Sequence, residues 1–203
     1  MIGMVTYEEQ DNANKLETYE WDYAWWEHAD DDKTPGILYI GDSISLGTRP
    51  QLNELLAGKM LVHGFATSKA LDNSYLLPAI ELFVKQMHSC KYVLFNNGLH
   101  GWHMDDENEW CSYLERSLET LKEMLPEAEL VLVNTTCVAE EGRENRVINR
   151  NRCMKNIAEK MQLRVIDLHS VAKENVSCRM EDGVHYTAEG YQKFAVHILS
   201  ELK

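Results

Sequence analysis

The chain has 203 residues and a formal charge of −13, from 33 acidic against 20 basic residues. That length suits one compact domain with a substantial core, and the charge repels phosphate backbones and anionic lipid surfaces, so neither nucleic acid nor membrane is an expected partner. No apolar run approaches the roughly 20 residues needed to span a bilayer, and Cys90, Cys111, Cys137, Cys153 and Cys178 lack the paired spacing of zinc or redox motifs, so reduced thiols are expected.

Residues 1–35 are acidic and polar apart from the cluster Trp21, Tyr23, Trp25 and Trp26, and they end in Asp30, Asp31 and Asp32 before Pro35. They read as an N-terminal extension packed on the domain that follows, with the aromatics as a strap or, in the sharper alternative, a sugar-stacking platform. No basic start joined to an apolar run reads as a signal peptide, so a cytoplasmic location is expected, or a secreted one if a signal has been removed.

From residue 36 to 203, short β-branched runs alternate with longer segments of helical period, the pattern of a parallel sheet with crossover helices. The expected strands are Ile37 to Ile40, Met60 to Val62, Tyr92 to Phe95, Leu130 to Val133 and Val165 to Leu168. Helices are expected near 50–57, 72–88, 107–124, 144–161 and 187–201. Right-handed crossovers on both faces of such a sheet give a three-layer α/β/α sandwich, whose ligands bind at the carboxyl ends of the strands.

The loop after the first strand reads Gly41, Asp42, Ser43, Ile44. A serine there meets the N–H groups of a helix start, which can receive a developing oxyanion; the plainer role is a helix cap. A serine hydroxyl needs a base, and the base needs a group that fixes its tautomer. Asp182 and His185, three apart around Gly183 and just before the last helix, supply that pair at the same edge of the sheet.

These blocks resemble the first and last blocks of the SGNH (GDSL-type) hydrolases, and the resemblance covers the chain from Gly36 to Lys203. It implies a flavodoxin-like, five-stranded parallel sheet and acyl-ester hydrolysis through an acyl-enzyme on Ser43, with His185 as base, Asp182 as its orienting group, and neither cofactor nor metal. It also implies oxyanion donors: the Ser43 N–H, a glycine after the second strand, matched by Gly64, and an asparagine after the third. That third block departs from the family pattern, reading Asn96, Asn97, Gly98, Leu99, His100, Gly101. Aligned on its asparagines, it makes Asn96 or Asn97 the donor, with Asn96 slightly favoured; aligned on Gly98, it puts His100 in that place.

His100 and Trp102 are possible substrate contacts, although Trp102 and Trp110 read more simply as packing. His100, His103, Asp105 and Asp106 are a weak metal reading. Thr135, Thr136 and Cys137 are candidates for the acyl-pocket border, and Arg150 and Arg152 for a solvated helix face or an anion contact. The expected substrate is a small-molecule or carbohydrate ester, with acetyl the favoured acyl group. An acyltransferase, a lipase or thioesterase, and a catalytically silent binding module are the alternatives.

Overall fold

The computed structural model describes residues 16–202, so the first part of the expected N-terminal extension lies outside the described residues. Strands β1 (Asp22–Trp25), β2 (Gly36–Gly41), β3 (Leu61–Thr67), β4 (Tyr92–Phe95), β5 (Glu129–Val133) and β6 (Arg164–Ile166) form one sheet, in the order β1-β3-β2-β4-β5-β6. Strands β2 to β6 are parallel to one another. Their order is the flavodoxin-like one, which reverses direction at β2 and opens a crevice at the carboxyl ends there.

The central strands are buried on both faces, which is why they read as unbroken apolar runs. Helices α1 (Ser43–Leu56), α5 (Leu168–Glu174) and α6 (Ala188–Glu201) cover one face, where Ile37, Tyr39, Val62 and Val131 meet Leu52, Phe194 and Ile198. Helices α2 (Leu76–Val84), α3 (Glu107–Met124) and α4 (Glu141–Met161) cover the other, where Leu38, Phe65, Val93 and Leu132 meet Ile80, Leu114, Leu118 and Met154. The three-layer sandwich is therefore the observed architecture.

The sheet has six strands rather than the expected five, because Asp22–Trp25 adds antiparallel to β3 as an edge strand. Its four residues are all exposed, so no buried alternation marks it in the sequence. Trp26, just beyond it, stacks on Phe83 with ring centroids 4.2 Å apart.

The second parallel strand does not stop at Val62 but continues through His63 and Gly64 to Thr67. Gly64, expected after the strand as an oxyanion glycine, lies inside it, and the Arg49 side chain occupies the space its Cβ would need, 2.5 Å away, so glycine here permits a close approach inside the sheet. Helix α1 begins at Ser43, well before the expected start near residue 50, and carries Pro50 inside it. The last strand ends at Ile166, because the Asp167 side chain accepts from Ser170 N–H and starts α5.

One expectation about the cysteines is also corrected. Cys111 on α3 and Cys153 on α4 are joined as a disulfide, with Cα atoms 6.1 Å apart, because the two helices pack side by side; a separation of 42 residues carries no motif. Cys90, Cys137 and Cys178 are free thiols.

Candidate active site

Asp42 caps α1 with its own side chain, accepting from Ile44 N–H at 2.9 Å. The cap is thus supplied by the residue before the serine, and Ser43 opens the first turn of the helix at the carboxyl end of β2. Its Oγ lies 2.9 Å from Nε2 of His185. Nδ1 of the same ring lies 2.9 Å from Oδ2 of Asp182. Ser43 and the Asp182–His185 pair, remote from it in sequence, therefore meet at one rim of the fold.

The turn that carries the pair is fixed by backbone bonds. Oδ1 of Asp182 accepts the N–H groups of Val184 and His185, both at 2.9 Å. Gly183 has φ +78°, which glycine adopts without strain, and its carbonyl accepts Ala139 N–H at 2.8 Å, tying the turn to the loop after β5. The next residue, Tyr186, donates its hydroxyl to the Cys137 carbonyl at 2.9 Å, a second tie to that loop.

Burial works to raise the Asp182 pKa, but the N–H groups of Val184 and His185 and the imidazole itself outweigh it and hold the carboxyl below its ordinary value. An ionised carboxylate only accepts hydrogen bonds, so Nδ1 of His185 carries the proton. Nε2 is then the acceptor that faces the Ser43 hydroxyl.

The remaining predicted residues do not all reach this rim. Gly64 lies within β3, in register with Tyr39 on one side and Trp25 on the other, so a substrate carbonyl cannot approach it; it is not an oxyanion donor. Asn96 spends its amide on the Val133 carbonyl at 2.6 Å and on Thr135 Oγ1 at 3.2 Å, tying β4 to β5, which removes the slight preference for it. Asn97 donates to the Lys69 carbonyl at 2.8 Å. Since β2 lies between β3 and β4, that bond bridges the two loops on either side of the strand leading to Ser43.

His100 is fully buried, with Nδ1 2.5 Å from the carboxylate of Glu17. Trp102 is also buried and stacks against the guanidinium groups of Arg143, Arg146 and Arg150, while Trp110 lies fully inside, so neither ring is offered to a sugar. The weak metal reading separates into unrelated contacts: His103 pairs with Asp72 at 2.8 Å, Asp106 caps α3, and Asp105 is exposed. Among the described residues, no group of three or more His, Cys, Asp or Glu is placed to hold a metal ion.

Thr135 and Thr136 are buried, and with Asp42, Ser45, Asn96 and Leu168 they line a small interior cavity beside the start of α1 rather than an open acyl pocket. Cys137 is buried 3.5 Å from the Tyr186 hydroxyl oxygen.

Sequence reasoning missed the residues of α4 that hold this rim. Arg150 is not on a solvated face: it is fully buried, pairs with Glu107 at 2.8 Å, and donates to the carbonyls of Gly98, His100 and Gly101 at 3.0, 2.6 and 2.9 Å. Burial pushes its pKa down to about 10, with Glu107 opposing, so it stays charged at neutral pH. Asn151 accepts from Thr135 N–H and donates to the Thr135 carbonyl, both at 2.8 Å. Glu17 beside His100 and Asp72 beside His103 were likewise unread, since nothing in their spacing marks either pair.

No family model matches the chain, and no curated protein does. Solved structures do. A member of the lipolytic G-D-S-L family from Veillonella parvula superposes with a TM-score of 0.69 at 16% identity, covering 82% of this chain and 97% of its own. The acetylxylan esterase Axe2 from Geobacillus stearothermophilus gives 0.67 at 16% identity, covering 83% and 94%. The catalytic domain of a peptidoglycan O-acetyltransferase from Streptococcus pneumoniae gives 0.63 at 19% identity, covering 83% and 93%. At such identities the likeness is one of architecture, and the chain has the fold of the SGNH (GDSL-type) hydrolases.

Proposed function

We propose that this chain is a serine esterase that removes a small O-acyl group, acetyl, from a carbohydrate. The observation that carries the reading is the unbroken line from the Ser43 hydroxyl through both nitrogens of His185 to Asp182, each link 2.9 Å long.

His185 Nε2 takes the proton of the Ser43 hydroxyl as Oγ attacks the ester carbonyl, and Asp182 offsets the charge that the imidazole gains. The tetrahedral oxyanion forms at the first turn of α1, where the Ser43 N–H and the positive end of the helix face it. Asn97 is the side-chain donor. An amide has two N–H bonds, and the Lys69 carbonyl takes one of them. As the tetrahedral intermediate collapses, the imidazolium protonates the leaving sugar oxygen, which departs as a hydroxyl; water then attacks the acyl-enzyme with His185 again as base, and the proton returns to Ser43 Oγ as the acid leaves.

Acetyl on a sugar is supported by the likeness to an acetylxylan esterase. The likeness to a peptidoglycan O-acetyltransferase domain favours one further reading, in which a second hydroxyl rather than water collects the acyl group from Ser43. The test is a panel of acetyl, butyryl and octanoyl aryl esters beside acetylated xylooligosaccharides, with released acid and acylated acceptor both measured. The highest kcat/KM is expected on acetyl esters, with free acetate as product. Preference for the octanoyl ester contradicts it, and transfer to an added sugar in place of acetate release selects the transferase.

A further inference from the structure

Strand β1 presents two aromatic rings to solvent on one face. Tyr23 and Trp25 are 40% and 42% exposed, their planes are parallel to within 4°, and their centroids are 6.3 Å apart. Alternation along the strand puts both on the side of the sheet that α1 covers. We propose that this pair is a binding platform for a neutral pyranose chain, one that leads the substrate toward Ser43. The inference rests on the esterase reading and names the substrate class for it.

Position supports the assignment. Tyr23 is in register with Ala66 of β3, and Ala66 with Gly41 of β2, so Tyr23 stands level with the end of the strand that delivers Ser43. Two strand spacings separate them, about 10 Å. A sugar chain lying over the rings thus has its neighbouring units within reach of the Ser43 hydroxyl.

The rings are also held in place. Trp25 donates its indole N–H to Glu27 at 2.8 Å, and the Arg49 guanidinium lies over the ring at 5.4 Å while itself pairing with Glu27 at 3.0 Å. A surface already ordered in this way loses little side-chain freedom on binding. Aromatic faces carry negative potential and attract the weakly positive C–H faces of sugar rings. The charges around the platform cancel locally, Arg49 against Glu27 and Lys69 against Asp22, which suits an uncharged ligand.

A second copy of this chain fits less well, because a stable protein interface needs about 800 Å² from each partner. Two rings offer far less, and each copy carries a formal charge of −13.

The test is titration of Ser43→Ala protein with xylohexaose, cellohexaose and chitohexaose, which needs no turnover and is therefore independent of the esterase reading. At least one hexasaccharide is expected to bind, and Trp25→Ala and Tyr23→Ala are each expected to raise its Kd about five- to tenfold. Trp25→Phe keeps a ring and should stay within about twofold of the parent. Tyr75→Ala, which removes an exposed aromatic elsewhere, should leave binding unchanged. Absence of binding by all three sugars overturns the proposal, as does an unchanged Kd in a Trp25→Ala protein that keeps the parent melting temperature. A parent dimer that Trp25→Ala converts to monomer overturns it too, in favour of contact between copies.

Discussion

Ser43 gains its place because Asp42 takes over the capping of α1. Were Ser43 the cap, its oxygen would face the backbone N–H groups of the first turn instead of an imidazole. In the proposed mechanism, His185 can accept the Ser43 proton only while Asp182 fixes the proton on Nδ1. Asp182→Asn should therefore lower kcat about 10³- to 10⁴-fold with little change in KM, measured on an aryl acetate. A loss below tenfold contradicts the orienting role. The lowered pKa of Asp182 also ties stability to pH. A carboxyl depressed on folding adds stability above its ordinary value of about 4, and that contribution is lost as pH falls through the lower folded value. The drop in urea midpoint between neutral and acid pH should accordingly be smaller in Asp182→Asn than in the parent.

Helix α4 is the element that holds the rim together. Arg150 fastens the loop after β4, Asn151 fastens the loop after β5, and Arg146 joins the first set by pairing with Glu107 at 2.5 Å and donating to the Trp102 carbonyl at 2.8 Å. Arg150→Met takes from Glu107 the buried one of its two arginine partners and leaves the carbonyls of Gly98, His100 and Gly101 without the guanidinium that donates to them. Breaking a buried pair from one side costs about 3–5 kcal/mol, to be read in denaturant unfolding. Because the same loop carries Asn96 and Asn97, kcat should fall as well; full activity and full stability together would show that α4 is not the clamp.

This element also marks how far the sequence was legible. The parallel strands and the longer helices follow from periodicity, and the Ser43, Asp182 and His185 positions follow from where their loops leave the sheet. Arg150 does not, since a charged residue in a polar helical run is ordinarily solvated, and only the arrival of Trp102, Trp110 and Glu107 from distant parts of the chain buries it. The helix expected near 50–57 falls short of α1, although the loop at Ser43 reads as a helix start, because Pro50 favours a first-turn position. Here it sits inside a helix that Asp42 had already begun. Gly64 misled for a different reason: its small size makes room for Arg49 and does not serve an oxyanion.

At the scale of the whole molecule, the reversal of strand order at β2 puts Ser43 at the switch point where such sheets bind ligands, on the carboxyl edge that also carries the loops after β3, β4 and β5. The net charge of −13 gives the molecule an overall negative field. An anionic ester, such as an acetylated uronic-acid oligomer, should show a KM that falls as salt rises from about 20 mM to about 0.5 M, while a neutral acetylated sugar keeps its KM. Equal salt dependence for both would mean that the field does not reach the site. The central claim, that Ser43 is a nucleophile activated by His185, is tested most directly by intact mass after exposure to an active-site phosphonate. One covalent adduct is expected on the parent protein and none on Ser43→Ala; an unlabelled parent, or an adduct that survives the substitution, would rule that role out.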